Sequence, residues 1–450
     1  MRKLINKIIK EDNFLSLSGN LTIAVFGFAG FSLLARSLSP HDFGQWVLFI
    51  SGGSFILMLR NGITRNAIVR FLSGAKTNEE ESLIGANTKL SLIATLIMST
   101  ILILVYAIWT ESIEESGYGM FFKWYPVLAI VNLPFSNALL VLEAKLEYGK
   151  ILLIRFISTT FFFMFLVVNF FVLNYSIQYI VIAYVFFNAI TSFYCIFKSW
   201  DGLIHIRKAN KKSLGVLLNF GKYSTFTSIG SNLLKNADVF IISISPFGST
   251  AVALFSIPLK LTEIQQIPLR SFVATAYPKM SKASIEGNFK KLRDLFNTYS
   301  GALIYLFFFI SVITFVFAEI FVILISGDQY LDAEFYGIDI VMIVKIFSIY
   351  GLFLPLDRMT GVGLDSINKP NINALKVIIM LTANVIGDLV AIYLFESIEM
   401  VAVVTLIFTL IGILIGIHYL NKSFSISFAQ VFKSGNEFYR MLFLKAFKIT

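Results

Sequence analysis

The candidate functional residues of this chain are charged residues that lie within apolar stretches. Two neighbouring hydrophobic runs in the second half carry Lys235, Asp238, Lys260, Glu263 and Arg270. A charge at bilayer depth is costly, and it usually faces a helix-bundle interior or a water-filled path. Two interpretations are open. The charges could be internal salt bridges that hold helices together, with Lys235 neutralising Asp238 on one helix face, or they could form a cationic, water-accessible site for an anion. We favour the cationic site.

The second of these hydrophobic runs also contains Pro258, Pro268 and Pro278. Proline removes backbone hydrogen bonds from a helix, and membranes tolerate this where neighbouring groups or water satisfy the freed backbone. The run is therefore predicted to be a kinked helix in contact with water.

The depth of the cations follows from counting residues along the predicted spans. Lys235, Lys260 and Lys345 each lie about eight to ten residues from an outer end, which is roughly 12–15 Å at 1.5 Å per residue. The first half has no central cation, and its Arg60 is predicted at the cytoplasmic mouth of the site. The complete predicted set for binding an anion is Arg60, Lys235, Lys260, Arg270 and Lys345.

Three carboxylates accompany these cations, namely Asp238, Glu263 and Asp388. They are candidate groups for coupling transport to an ion, or partners in salt bridges, and the salt-bridge role is expected for at least two of them.

Composition determines the class of protein. The chain is 57% hydrophobic and 14% charged, with a mean hydropathy of +0.78, which excludes a soluble protein of 450 residues. A bilayer core about 30 Å thick requires roughly 20 apolar residues per helix, and such runs recur along the whole chain. The net charge of +10 could indicate nucleic-acid binding, but the placement of the basic residues assigns it to membrane topology.

Motifs for catalysis, metals and cofactors are missing from the sequence. The single cysteine, Cys195, lies in an apolar run, and the three histidines have no ligand spacing. There is no P-loop and no metalloprotease or serine-hydrolase motif. We therefore expect no catalytic residues, no metal, no cofactor, no nucleic-acid partner and no enzymatic activity.

Apolar runs predict an all-α integral membrane protein with twelve spans. The first is read as an uncleaved span after a short amphipathic helix, because it is too long for a signal peptide. The spans are predicted near residues 17–38, 43–60, 83–109, 121–142, 151–173, 177–197, 214–244, 250–272, 295–325, 337–357, 372–395 and 399–421.

Basic residues fix the orientation of these spans. Of the 37 Lys and Arg residues, only Arg36 and Lys123 fall in loops predicted to lie outside. Because cytoplasmic loops are enriched in Lys and Arg, both termini are predicted to be cytoplasmic.

The longest basic inside loop follows the sixth predicted span and suggests the domain organisation. We predict a six-helix bundle over 1–200, a linker over 201–213, a second six-helix bundle over 214–421 and a cytoplasmic tail over 422–450. Both sets of six begin on the cytoplasmic side, so a repeat between them would be parallel.

Two local features predict structure. Gly412 and Gly416 form a GxxxG pattern that permits close helix packing. Pro40 and Gly44 are expected to shape the first outside turn, and Asp42 to cap the helix that follows it.

Several of these segments resemble one protein family. LLARSLSPHDFGQWVL at 33–48 and LRNGITRNAIVRFLSG at 59–74 are similar to the first two helices of polysaccharide-unit (Wzx-type) flippases of the multidrug/oligosaccharidyl-lipid/polysaccharide exporter superfamily. LNFGKYSTFTSIGSNLLKNADVFIIS, GSTAVALFSIPLKLTEIQQIP and AYPKMSKA resemble that family's seventh and eighth helices and the loop after them. The pattern departs at Arg60, where the family frequently has an acid, so no role of that acid is carried over.

The resemblance implies two six-helix bundles around a central cavity that opens alternately to each side. It also implies an undecaprenyl-pyrophosphate-linked oligosaccharide as substrate, moved between leaflets for polysaccharide biosynthesis such as that of O-antigen or exopolysaccharide. Membrane lipids and a polysaccharide polymerase are the partners it suggests. Fixed Lys and Arg would lower the electrostatic cost of moving a pyrophosphate through the apolar core.

Three alternatives stay open. A multidrug exporter of the same superfamily often handles organic cations, which matches a cationic cavity poorly. The peptidoglycan-precursor flippase, another exporter of a lipid-linked precursor, usually has fourteen spans. A membrane polysaccharide polymerase or glycosyltransferase generally needs a sizeable outside loop with catalytic residues, and the outside loops here are short.

Overall fold

Helices follow one another along the whole described chain, without a strand, in the computed structural model, which describes residues 12–72, 77–332 and 337–446. The amphipathic helix predicted at the N-terminus falls largely on residues outside these ranges. The helices of the first half are α1 Asp12–Ser37, α2 Pro40–Leu72, α3 Thr77–Ile108, α4 Thr110–Glu115, α5 Gly119–Val131, α6 Leu133–Ala144, α7 Tyr148–Val168 and α8 Ile177–Phe197. Those of the second half are α9 Lys211–Ser243, α10 Gly248–Ile285, α11 Phe289–Val316, α12 Ala318–Ser326, α13 Ile340–Ser366, α14 Pro370–Tyr393, α15 Ile398–Asn421 and α16 Phe428–Ala446.

Each of the twelve predicted spans corresponds to one of these helices or to a consecutive pair, so the predicted fold class is confirmed. Within the described ranges, eight helices are long and apolar enough to cross a bilayer, and the bent pair α5–α6 would make a ninth. The charged helices α9 and α10 do not reach that apolarity, although they are 33 and 38 residues long. They are also the helices that carry the predicted site.

The chain forms two compact units. The first comprises Met1–Asn232 and Pro246–Ala253, and the second comprises Leu233–Ser245 and Leu254–Thr450. The change from one unit to the other therefore occurs inside α9, about twenty residues after the linker predicted at 201–213. The predicted division into two six-helix bundles stays a prediction.

Aromatic side chains fill the part of the first unit where α2, α7 and α8 meet. The Trp46 ring stacks on Phe162 with centroids 5.8 Å apart, and Phe162 meets Tyr184 edge-on at 4.9 Å. Two glycines of α2 make room for rings of α5, because a Cβ on Gly53 would approach the Tyr125 ring to 2.7 Å. The Tyr125 hydroxyl donates to the Gly53 carbonyl at 2.8 Å. These contacts hold α2 against α5.

A broken span is the most irregular element of the first unit. Helices α5 and α6 meet at Asn132 with a bend of 51°. Pro134, in the first turn of α6, causes this break because it has no backbone N–H to continue the helix. The Phe135 N–H, freed at the bend, donates instead to the Ser192 hydroxyl of α8 at 3.3 Å.

The second unit is organised around α13, which packs against α11 and α15. Its core is built from residues of α10, α11, α13 and α15, among them Met280, Phe296, Phe307 and Met359. Helix α10 runs unbroken through Pro258, Pro268 and Pro278.

The GxxxG pair of α15 has the predicted packing role. A Cβ on Gly412 would approach the Met380 sulfur to 2.4 Å, and one on Gly416 would approach the Thr360 Cβ to 2.5 Å. Both glycines therefore permit close contact of α15 with α13 and α14.

The first outside turn differs from the prediction in its cap. Ser39, not Asp42, caps α2, since its hydroxyl accepts from the Asp42 N–H at 3.1 Å. Gly44 lies within α2 and is needed for close approach, because a Cβ there would overlap the Ser249 carbonyl oxygen at 1.8 Å. The prediction identified the right segment but assigned the cap to the wrong residue.

Candidate functional site

Two of the predicted cations share one carboxylate in the second unit. Lys235 Nζ of α9 lies 2.9 Å from Glu263 Oε1, and Lys260 Nζ lies 2.8 Å from Glu263 Oε2, both of α10. The group has one negative and two positive charges, so it keeps a net positive charge. The Lys235 side chain is 60% exposed and the Lys260 side chain 26%. The group is therefore accessible to an anion from outside the second unit.

The other predicted cations of this unit, Arg270 and Lys345, stand apart from that group. Arg270 follows Glu263 by seven residues, so it lies on the same face of α10 two turns away, and it is exposed. Lys345 of α13 is half-buried and places its ammonium 5.9 Å from the centroid of the Phe315 ring.

Asp238 does not pair with Lys235, although only one helical turn separates them. Its side chain points into the second unit, where Oδ1 accepts from Asn384 Nδ2 at 2.9 Å and Oδ2 from the Thr405 hydroxyl at 3.3 Å. The salt bridge considered as the alternative from sequence is therefore absent. Lys235 turns outward to Glu263, and Asp238 turns inward to α14 and α15.

Asp388 completes a buried acid pair with Asp238. The Asn384 amide bridges the two carboxyl groups, since it also donates to Asp388 Oδ2 at 3.2 Å, and the carboxyl groups interact directly. Asp238 is 7% exposed, and Asn384 and Asp388 are 0% exposed. Asp388 Oδ1 and Asn384 Oδ1 have no hydrogen-bond partner.

The chemistry of this pair follows from its surroundings. Two carboxylates in contact cannot both stay ionised in a buried site without a counter-ion. The named partners of the pair are an amide and a hydroxyl, so a shared proton or a bound cation is required to offset part of the double negative charge. No cluster of three or more His, Cys, Asp or Glu occurs in the described residues.

Sequence reasoning missed one buried cation of the second unit. Lys376 of α14 is 3% exposed, and its ammonium lies 2.6 Å from Asp357 Oδ1, 2.9 Å from the Asp357 carbonyl and 3.0 Å from the Thr360 hydroxyl. Lys376 donates hydrogen bonds to the Asp357 carbonyl and the Thr360 hydroxyl, and it forms an ion pair with the Asp357 carboxylate, so this lysine holds α14 against α13. Its place only five residues from the start of a predicted span made it look like part of a basic loop.

Arg60 belongs to the first unit and is 4% exposed. Its Nη1 donates to the Thr95 hydroxyl and to the Ala129 carbonyl, each at 3.3 Å, and its Nη2 donates to the Ser136 hydroxyl at 2.5 Å. Ala129 and Ser136 lie on opposite sides of the bend between α5 and α6. Arg60 therefore bridges the broken span, and it does not lie at an open mouth as predicted.

Comparison with known proteins identifies the relatives of this fold. The model of a family described as "Polysaccharide biosynthesis protein" matches residues 9–284. An inward-facing multidrug resistance MATE family transporter of the MOP superfamily is similar, with a TM-score of 0.70 and 14% identity over 89% of this chain and 95% of that one. The lipid II flippase MurJ in an inward closed conformation has a TM-score of 0.69 and 13% identity over 97% of this chain and 93% of that one.

A third similar structure is that of a MOP superfamily transporter from Pyrococcus furiosus, described as having a binding pocket of reverse polarity. Its TM-score is 0.59, with 14% identity over 92% of this chain and 94% of that one. A search of curated protein sequences returned no match. At these identities the solved structures establish the fold alone, which is that of multi-pass membrane transporters.

Proposed function

Because this chain belongs to the polysaccharide biosynthesis protein family, we propose that it is a flippase for an anionic lipid-linked oligosaccharide. It is a multi-pass membrane protein with a transporter fold, and its neighbours in fold are transporters, not enzymes. The substrate we propose is an undecaprenyl-pyrophosphate-linked unit, moved by alternating access across the cytoplasmic membrane. Both termini would be cytoplasmic.

The group formed by Lys235, Lys260 and Glu263 carries this proposal. It offers an accessible net positive charge on two helices that sequence predicts as spans, and Arg270 extends the positive charge along α10. A pyrophosphate is an oxygen-rich anion that accepts charge-assisted hydrogen bonds from ammonium and guanidinium groups. An organic cation would be repelled by the same charges, which disfavours the multidrug-exporter alternative.

The acid pair Asp238–Asp388 is proposed as the coupling site. A proton or a monovalent cation entering from an ion gradient would offset one of the two negative charges of the pair and change the packing of α9 against α14. The unpartnered oxygens of Asp388 and Asn384 supply ligands for such an ion. Glu263 is assigned to the anion site instead, because both of its oxygens are paired with lysines.

A transport assay tests the proposed substrate. Purified protein in liposomes would be given a fluorescent polyprenyl-pyrophosphate oligosaccharide, and flipping would be followed by quenching of label in the outer leaflet. Lys260→Ala should raise KM roughly tenfold or more, because a charge-assisted contact contributes about 1.5–3 kcal/mol. Glu263→Gln should lower KM, because it removes the acid that offsets one lysine.

A distant lysine provides the control variant, and substrates of different charge provide results that would refute the proposal. Lys282→Ala on the same helix, whose side chain is 74% exposed, should leave KM unchanged. Equal flipping of a lipid-linked sugar without phosphate would refute the anion site, as would the same shift in KM for Lys260→Ala and Glu263→Gln. Expulsion of a lipophilic cation without flipping would identify a drug exporter, and sugar polymerisation would identify an enzyme.

A further inference from the structure

The C-terminal segment, predicted from sequence as a cytoplasmic tail, contains helix α16, which is docked on the second unit. Helix α16 crosses α11 at a pair of glycines, where a Cβ on Gly301 would come within 2.1 Å of the Val431 carbonyl oxygen. A Cβ on Gly435 would lie 2.5 Å from the Gly301 carbonyl carbon. The Tyr439 hydroxyl donates to the Ala302 carbonyl at 2.9 Å. Helix α16 is therefore fixed along α11.

A groove of about 410 Å³ lies where the first turns of α11 meet Phe438 of α16. One end of the groove is cationic, with Lys290 and Lys291, both exposed. The other end is apolar, with Leu295, Tyr299 and Phe438. The groove thus presents positive charge at one end and hydrocarbon-like surface at the other.

Other side chains near the groove add charge and apolar surface. Lys279 of α10 donates to the Tyr299 hydroxyl at 3.0 Å, which brings a third ammonium to the edge of the apolar end. Asp294 is the acid that lines it, and Arg293 lies 3.8 Å from that carboxylate. The Phe272 ring packs on Phe438 with centroids 6.2 Å apart and supports the apolar end. The net charge around the groove is positive.

The segment before α11 and helix α16 also carry exposed apolar side chains next to basic residues in the sequence. Ile285 is 87% exposed, and Phe289, at the start of α11, is 45% exposed. On α16, Phe432 is 47% exposed and is followed by the exposed Lys433. Exposed aromatic and aliphatic groups mixed with lysines are typical of helices that lie in the interfacial layer of a membrane.

We propose that this groove binds an anionic phospholipid of the cytoplasmic leaflet. The lipid phosphate would lie at Lys290 and Lys291, and an acyl chain would lie against Leu295, Tyr299 and Phe438. The apolar floor selects a lipid over a soluble phosphate, and the lysines select an anionic lipid over a zwitterionic one. The proposal depends on the cytoplasmic orientation of the loop before α11, and it does not depend on the transported substrate.

Lipid binding to the purified full-length protein tests the proposal. Native mass spectrometry would titrate phosphatidylglycerol and phosphatidylcholine separately into delipidated protein. Lys290→Gln with Lys291→Gln should weaken phosphatidylglycerol binding roughly 30-fold, which corresponds to about 1 kcal/mol for each of two lysines near an anionic surface. Lys211→Gln with Lys212→Gln, an exposed pair in the first turn of α9, is the matched control and should have no effect.

A second variant separates headgroup recognition from acyl-chain recognition. Phe438→Ser should weaken binding of phosphatidylglycerol and leave binding of glycerol phosphate unchanged. Wild-type lipid binding by the double lysine variant, or equal affinity for the two phospholipids, would overturn the proposal. Glycerol phosphate binding as tightly as the whole lipid would also overturn it, because the site would then recognise a soluble anion. A failed flipping assay leaves each of these outcomes measurable.

Discussion

Replacing Arg60 by methionine should destabilise the first unit by about 1–3 kcal/mol without changing KM for an anionic substrate. Sequence predicted this arginine as a substrate ligand. Its burial and its three hydrogen bonds within the first unit assign it to the bend between α5 and α6. If Arg60 is structural, its replacement lowers the stability of the first unit. If Arg60 binds substrate, its replacement raises KM.

The magnitude follows from counting what each partner of Arg60 would lose. The Thr95 hydroxyl also donates to the Ser91 carbonyl at 2.7 Å, and the Ser136 hydroxyl donates to the Leu133 carbonyl at 3.0 Å, so both keep a partner. The Ala129 carbonyl loses a charged donor at the bend, and an unsatisfied buried carbonyl costs about 1–3 kcal/mol. Removing the buried charge is favourable, so 3 kcal/mol is an upper bound.

Reversible chemical unfolding in detergent, with flipping measured in parallel, is the appropriate assay. The matched control is Arg65→Met, one turn further along α2. Arg65 pairs with Glu143 at 3.1 Å, with a side chain that is 53% exposed. An exposed pair of this kind contributes about 0–1 kcal/mol.

The reasoning would be refuted if Arg60→Met were as stable as Arg65→Met. It would also be refuted if Arg60→Met folded normally and raised KM roughly tenfold, since that result would make Arg60 a ligand. Hydrogen exchange adds a local readout. Amides around Asn132 should exchange faster in Arg60→Met than in the wild type, because the bend would lose its bridge.

Two further predictions concern the buried charges of the second unit. Asp388→Asn should abolish the dependence of flipping on a sodium or proton gradient, because the single remaining carboxylate, Asp238, no longer needs a counter-ion. Gradient-driven flipping at the wild-type rate in this variant would contradict the coupling role. Lys376→Met should lower the free energy of unfolding by about 1–3 kcal/mol, since it removes the cation beside the partly buried Asp357 carboxylate, which is 21% exposed. Adding Asp357→Asn should recover most of that loss, and thermal unfolding would show no recovery if the two side chains acted independently.

The twelve spans could be predicted because each depends only on a local run of apolar residues. A helix that satisfies its own backbone in lipid needs a long apolar run, and every predicted span is found as a helix or a consecutive pair. The break at Asn132 was also readable in principle, since Pro134 lies within the fourth run. The contacts that stabilise the break could not be predicted, because Arg60 and Ser192 come from distant segments of the sequence.

The partners of the buried charges could not be predicted from spacing. Lys235 and Asp238 are three residues apart, and helical geometry alone suggested that they pair. In the structure they diverge, because Glu263 offers Lys235 an exposed partner and Asn384 and Thr405 offer Asp238 buried ones. All three of these residues lie on other helices, and only tertiary packing decides between partners.

The C-terminal segment shows a different limit of sequence reasoning. Helix α16 follows the last span and carries lysines, so composition assigned it to the cytoplasmic tail. Its docking depends on Gly301 and Gly435, whose close approach becomes visible only when α11 and α16 are placed side by side. A glycine in an apolar run is common, so neither residue was informative alone.

One turn of α9 carries both chemistries proposed for the second unit. Lys235 belongs to the accessible anion site through Glu263, and Asp238 belongs to the buried acid pair. The peptide backbone between them is a continuous helix, so a change in the packing of Asp238 against α14 must also move Lys235 relative to α10. Placing the two side chains on one turn therefore gives the shortest covalent path by which the state of the acid pair could alter the position of a cation that would bind substrate.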